Sequence, residues 1–172
     1  MAANIELATG LGSVQLLQAA EYYLQVQAAN PNAAITFTGH SLGGGLAALM
    51  GVFFGKQAVT FDQAPFANSA EASLLSPDVA ANLLGHLVAQ VNQDGSRKYS
   101  DAALQGLTDF LTLRAAMAPG EIPNTSLVTS INVGGEFLSG VPWNIQDRIG
   151  SPPTSPLMLQ TSPGLIFIRR PS

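Results

Sequence analysis

The sequence predicts an α/β fold with a mostly parallel sheet and helices on both faces, and three observations support this prediction. A helical pattern at residues 13–29 precedes a short apolar run, "AITFT" at residues 34–38. An uncharged helical stretch at residues 42–54 precedes a second apolar run at residues 57–61. Alternating helices and strands are typical of parallel strands joined by crossover helices. A chain of 172 residues with 47 % hydrophobic content predicts one domain.

The first helix and the first strand have recognisable limits. From Ser13 to Ala29, apolar residues recur at helical spacing, and Asn30-Pro31 ends the run. The run at residues 34–38 is apolar and β-branched and stops at a glycine, which predicts a strand buried on both faces. The second helix follows this strand without a loop and, having no charge, should lie between other elements.

The second half of the chain predicts fewer strands and more irregular structure. Residues 70–91 and 100–117 have helical patterns, and these two helices form either a cap over a site, at about 70–118, or ordinary crossover helices. Residues 126–133 predict a third strand. Residues 140–172 form a Pro-rich irregular segment that ends in a short strand.

Composition excludes several classes of function. Seven Lys and Arg in a chain of net charge −4 leave no basic face for phosphates, so no nucleic acid partner is expected. The absence of cysteine removes thiolate metal sites and cysteine nucleophiles. No apolar run reaches the roughly 20 residues of a membrane-spanning helix.

The segment "FTGHSLGGG" at residues 37–45 has the pattern that an activated serine nucleophile requires. A sharp strand-to-helix turn would project Ser41 above the sheet, and small residues at Gly39 and Gly43 would let strand and helix pass closely. The turn also places Ser41 at a helix N-terminus, where the N–H of Leu42 would stabilise an oxyanion.

These residues carry a family resemblance. The stretch "ITFTGHSLGGGLAALMGVFF" resembles the nucleophile segment of class 3 lipases in the α/β-hydrolase superfamily, where His40 and Leu42 are typical. The preceding Asn-Pro stop and the following "AVTFDQAPF" extend the resemblance to residues 13–66. The resemblance implies a partial α/β-hydrolase fold and hydrolysis of lipid or small carboxylic esters through an acyl-enzyme on Ser41, without metal or organic cofactor.

The acid and the base of a triad are less clearly marked. α/β-Hydrolases keep the chain order Ser, acid, His. Glu136 follows the third predicted strand, where the family keeps its acid, and Asp62 at the end of the second strand is the alternative; either could also be a solvated carboxylate. His40 is expected to support the turn rather than reach Ser41. The base is therefore His86, on a predicted helix, or a histidine outside this chain.

No histidine follows Glu136, and only 38 residues precede the nucleophile elbow at residues 39–43, fewer than a complete α/β-hydrolase needs. We therefore expect an incomplete domain, either the central part of a larger lipase-like protein or a shortened relative. The alternative function is a non-catalytic fragment, or a lipid-binding or partner-binding module, that retains the elbow without a complete triad. Exposed sheet edges would favour self-association.

Overall fold

The computed structural model describes residues 11–64, 66–71, 78–131 and 149–150. In chain order the elements are α1 (Leu11–Ala29), β1 (Phe37–His40), α2 (Ser41–Phe54), β2 (Ala58–Phe61), α3 (Ala67–Ala70), α4 (Val79–Ala89), α5 (Asp101–Ala116), a 3-10 turn (Thr125–Leu127) and β3 (Val128–Ile131). Glu136 and the Pro-rich segment at 140–172, apart from residues 149–150, lie outside the described residues.

The three strands form a parallel sheet in the order β1-β2-β3. This confirms the prediction of a parallel α/β arrangement. Gly39 pairs with Thr60, and Thr60 pairs with Ser130, so small residues meet on one face of the sheet. β1 and β3 are the edges of the described sheet, and self-association through them stays a prediction.

β1 differs from its prediction in position and in burial. It lies at residues 37–40 rather than 34–38, because only these residues pair with β2. Its side chains alternate between half-buried and exposed, with Thr38 and His40 exposed. The prediction of a strand buried on both faces is therefore wrong: β1 is an edge strand covered on one face by the described residues.

The described helices pack around α2, which lies on one face of the sheet. A Cβ at Gly51 of α2 would lie 3.0 Å from the Cβ of Ala58, which places α2 directly on the sheet. On the opposite face, Phe61 is 37 % exposed. The prediction of helices on both faces is thus met on one face only within the described ranges.

The core surrounds the C-terminal half of α2. The ring of Phe53 packs against Phe110 of α5 with centroids 4.8 Å apart. Tyr23 of α1 contacts Phe37 and Phe54 at centroid distances of 5.2 and 4.7 Å. These tilted aromatic contacts join both outer helices to α2, so the uncharged helix lies between other elements as predicted.

The helices between β2 and β3 pack on α2 and α1. A Cβ at Gly106 of α5 would lie 2.8 Å from the carbonyl oxygen of Phe54, so α5 meets the C-terminal end of α2. That end is about 20 Å along the helix axis from Ser41. α4 packs against α1 and α5. The two helices connect parallel strands, as crossover helices do, and a cap over the site at about 70–118 stays a prediction.

Candidate active site

Ser41 occupies the junction between the end of β1 and the start of α2. β1 ends at His40 and α2 begins at Ser41, with no residue between them. The φ angle of Ser41 is 52°, in the left-handed region that residues other than glycine seldom adopt. Its carbonyl oxygen accepts a hydrogen bond of 2.9 Å from the N–H of Ala64, which ties the turn to the loop after β2.

The glycines around Ser41 have different neighbours. A Cβ at Gly39 would lie 2.2 Å from the carbonyl oxygen of Gly43, so strand and helix pass too closely for any side chain there. A Cβ at Gly43 would meet nothing within 4 Å. The predicted close approach of strand and helix is therefore present at Gly39. At Gly43 the prediction is wrong, because a side chain there would have open space. The second close contact lies further along the helix, where a Cβ at Gly45 would overlap the ring of Phe66.

The N-terminus of α2 is not capped by a side chain. His40 is in the N-cap position, with extended backbone angles and no side-chain hydrogen bond to the helix. The first N–H groups of a helix have no acceptor within the helix, and they carry the positive end of its dipole. The N–H of Leu42 is one of these groups.

Asp62 lies at the carboxyl end of β2, beside the same turn. Its side chain is 5 % exposed, and its Oδ2 is 3.9 Å from the Nε2 of His40. Its N–H donates a hydrogen bond of 2.8 Å to the carbonyl oxygen of Ile131, at the end of β3. The φ angle of Asp62 is 44°, so strained backbone occurs at two neighbouring strand ends.

Neither histidine of the chain is hydrogen-bonded to Ser41. The side chain of His40 is 64 % exposed and lies near Asp62. His86 is exposed on α4, in the last turn of that helix. In the described part of the chain, the structure thus brings together Ser41, His40 and Asp62, and it does not join His86 to them.

Gln63 is a residue of this site that sequence reasoning missed. It is 1 % exposed, and it follows Asp62 in the loop after β2. A polar residue after a strand is normally solvated, and no sequence pattern marks Gln63 as buried.

Within the described ranges, no group of three or more His, Asp or Glu residues could hold a metal ion. Nor has any helix there the length and apolar character to cross a membrane.

Parts of this sequence match a known protein family and a named protein. Residues 2–92, just over half of the chain, match a family described as "Tle-like phospholipase domain". A stretch of 42 residues is 55 % identical to a protein of Kluyveromyces lactis named "Putative lipase ATG15". That stretch covers 24 % of this chain and 8 % of the relative. No solved structure matches the chain.

Proposed function

Because the chain belongs to the family of Tle-like phospholipase domains, we propose that it is a serine hydrolase that cleaves the carboxylic esters of lipids through an acyl-enzyme on Ser41. The lipase-like match over 42 residues supports the same class of substrate. The finer assignment, to a partial α/β-hydrolase fold of the class 3 lipase type, is part of this proposal.

The conformation of Ser41 is the observation on which the proposal rests. A nucleophile elbow holds its serine in a strained backbone conformation between a strand and a helix. Ser41 has a φ of 52° and begins α2 directly after β1. Gly39 allows the close passage of strand and helix that this turn requires, because its missing side chain leaves room for the Gly43 carbonyl.

In the proposed reaction, the Ser41 hydroxyl attacks the ester carbonyl carbon while a histidine removes its proton. The carbonyl oxygen becomes an oxyanion, which the N–H of Leu42 stabilises at the uncapped end of α2. The tetrahedral intermediate expels the alcohol, which takes the proton from the histidine and leaves an acyl group on Ser41. Water then hydrolyses this ester by the same sequence and releases a carboxylic acid.

The acid that orients the histidine is proposed to be Glu136, five residues after the end of β3. Asp62 is the alternative, supported by its burial and by its place at the neighbouring strand end. The base is His86 or a histidine outside this chain. His40 is proposed to support the turn at Ser41 rather than to act as the base, since its exposed ring lies beside Asp62.

The first experiment is labelling with a fluorophosphonate probe, read by intact mass, on the wild-type chain and on Ser41→Ala. We expect one probe per chain in the wild type and none in the variant. A matched control is Ser69→Ala, since Ser69 is a buried serine outside the elbow. Equal labelling of wild type and Ser41→Ala would contradict the proposal.

A second measurement identifies the bond that is broken. With vesicles of a defined phosphatidylcholine as substrate, hydrolysis of a carboxylic ester releases a free fatty acid and a lysophospholipid. Cleavage on either side of the phosphate would release diacylglycerol or phosphatidic acid instead. Mass analysis of the products distinguishes these reactions, and fatty acid release that depends on Ser41 supports the proposal.

A non-catalytic module that binds a lipid or a protein partner is the second candidate. The observation that favours it is the absence of a hydrogen bond between Ser41 and either histidine in the described residues. Such a module would bind vesicles or a partner equally well with and without the Ser41 hydroxyl. Folded wild-type chain that takes up no probe, yet sediments with vesicles, would support this candidate.

A further inference from the structure

Two side chains near the elbow bury a polar atom that has no hydrogen-bond partner among the described residues. Thr60 lies in β2 and Gln63 in the loop after it, and they are 0 % and 1 % exposed. The unpartnered atoms are the Oγ1 of Thr60 and the Oε1 of Gln63. Such an atom costs stability, so native proteins nearly always satisfy it with a protein group or with bound water.

The amide of Gln63 cannot satisfy its oxygen by turning over. Its Nε2 donates one hydrogen bond of 3.0 Å to the Oγ of Ser130 and one of 2.7 Å to the carbonyl oxygen of Ile149. An amide nitrogen has two protons, so both are in use. A flipped amide would place its oxygen against the carbonyl oxygen of Ile149, and two acceptors would face each other. The Oε1 of Gln63 therefore needs a donor from another group.

Thr60 and Ser130 face the same side of the sheet, toward α2. The register pairs Thr60 with Gly39 on one side and with Ser130 on the other. Ala58, two residues before Thr60, lies against Gly51 of α2, and strand residues two apart share a face. Neighbouring strands are about 4.8 Å apart, so the Thr60 side chain lies beside that of Ser130.

The three side chains of Thr60, Gln63 and Ser130 offer the partners that one water molecule requires. Buried waters typically make about three hydrogen bonds to polar groups that would otherwise be unsatisfied. A water beside Ser130 can donate to the Gln63 Oε1 and to the Thr60 Oγ1, and it can accept a bond from the Ser130 hydroxyl. All three groups are neutral, and because burying an ion without a charged partner is costly, water fits this set better than a cation.

We propose that Thr60, Gln63 and Ser130 hold one buried water molecule, which joins β2, β3 and the loop after β2. This inference goes beyond the proposed function and does not depend on it. The same loop supports the elbow, because the N–H of Ala64 donates a hydrogen bond of 2.9 Å to the carbonyl oxygen of Ser41. The water is therefore a further link between the sheet and the segment that supports Ser41.

The first test is the sign of a stability change. Thr60→Val replaces the hydroxyl with a methyl group of similar size. If a water is bound, the variant loses a satisfied hydrogen bond, and its equilibrium constant for unfolding should rise roughly two- to tenfold. If the site is dry, the same change removes an unsatisfied hydroxyl and should stabilise the protein. Urea unfolding distinguishes the two signs.

The matched control for this test is Thr129→Val. Thr129 is a half-buried residue of β3, and as the neighbour of Ser130 it faces the other side of the sheet. Strands favour valine and threonine to different extents, and the control carries that difference without touching the proposed site. The change in Thr60→Val is therefore measured relative to the change in Thr129→Val.

The second test counts long-lived internal waters by magnetic relaxation dispersion of the water oxygen signal. Thr60→Ile keeps the branched side chain and adds a methyl group beyond the position of Oγ1, where the water would lie. We expect the wild type to hold one more long-lived water than Thr60→Ile. Thr129→Ile is the control and should keep the wild-type signal.

Loss of one water in Thr60→Ile, together with lower stability of Thr60→Val than of its control, supports the proposal. A folded Thr60→Ile with the wild-type water signal would overturn it, because another group of the protein would then satisfy Thr60. Thr60→Val that is as stable as its control, or more stable, would also overturn it, and this result decides the question if Thr60→Ile does not fold. Neither test uses labelling of Ser41, so failure here leaves the proposed function untouched.

Discussion

Both ends of α2 are uncharged, but they pack in different ways: the N-terminal end relies on glycines, and the C-terminal end relies on large aromatic side chains. At the start, Gly39 and Gly45 allow backbone and ring atoms to approach within distances that a methyl group would block. At the other end, the buried rings of Phe53 and Phe54 pack against Phe110 of α5 and Tyr23 of α1. Substitutions that add atoms should therefore destabilise the N-terminal end of α2. Substitutions that remove atoms should destabilise its C-terminal end.

The largest effect on stability is expected from Phe53→Ala, at the C-terminal end. It removes a fully buried ring and its contact with Phe110, which should lower the free energy of unfolding by about 3–5 kcal/mol. Urea unfolding measures this loss. Leu113→Ala, at a half-exposed position of α5, is the control and should change stability by less than about 0.5 kcal/mol. Folded Phe53→Ala that no longer labels at Ser41 would mean that the two ends are not independent.

The next effect is expected from Gly39→Ala at the N-terminal end. The new methyl group would lie 2.2 Å from the Gly43 carbonyl oxygen, which is backbone and cannot turn aside. Such overpacking costs about 1–3 kcal/mol, and displacement of Ser41 should slow probe labelling about tenfold or more. Labelling at the wild-type rate would show that the close passage of strand and helix is not needed for reactivity.

Low pH should destabilise the packing at the C-terminal end of α2, because an ion pair next to Phe110 depends on an ionised carboxylate. Arg114, which also lies over the Phe110 ring, pairs with Asp78. Partial burial by itself would raise the pKa of Asp78, but hydrogen bonds from Arg114 and from the Ala81 N–H, together with the Arg114 charge, lower it below the ordinary 3.8. The stabilisation is thus fully present above pH 3.8 and is lost as the pH falls through the lower, folded-state value.

Urea midpoints measured on both sides of that pH range test this dependence. We expect Asp78→Asn to unfold more easily than wild type at neutral pH and to lose part of the decline at low pH. Asp109→Asn, an exposed carboxylate on α5, the helix that carries Arg114, is the matched control and should keep the wild-type decline. An identical acid dependence in wild type and Asp78→Asn would exclude the charge pair as its source.

The smallest effect is expected from Gly43→Ala, within the elbow pattern itself. Gly43 is exposed in α2, and a methyl group there meets nothing within 4 Å. The helix should gain up to about 1 kcal/mol, with labelling within about twofold of wild type. Gly85→Ala, at an equally open helical glycine of α4, should gain a similar amount. Loss of labelling in Gly43→Ala alone would indicate that substrate or probe occupies the space above Gly43.

The sequence predicted those features that depend on local pattern. The apolar runs indicated parallel strands, and the spacing indicated that the helix follows the strand without a loop, although the direct join at Ser41 was not predicted. The limits of β1 were wrong because pairing with β2, rather than the apolar run, decides which residues form the strand. The burial of Gln63 could not be predicted either, since its partners Ser130 and Ile149 lie 67 and 86 residues away.

Because β1 joins α2 directly, the register of the sheet fixes the position of Ser41. His40 pairs with Phe61 at the last position of the ladder, and the next residue begins the helix. One residue inserted or deleted within β1 would turn the strand side chains on one side of the change to the opposite face of the sheet, or shift Ser41 away from the end of the strand. The turn at residues 92–97, on the surface far along the chain, should accept such changes in length. Natural variation in chain length should therefore be found in that turn and be missing from the elbow.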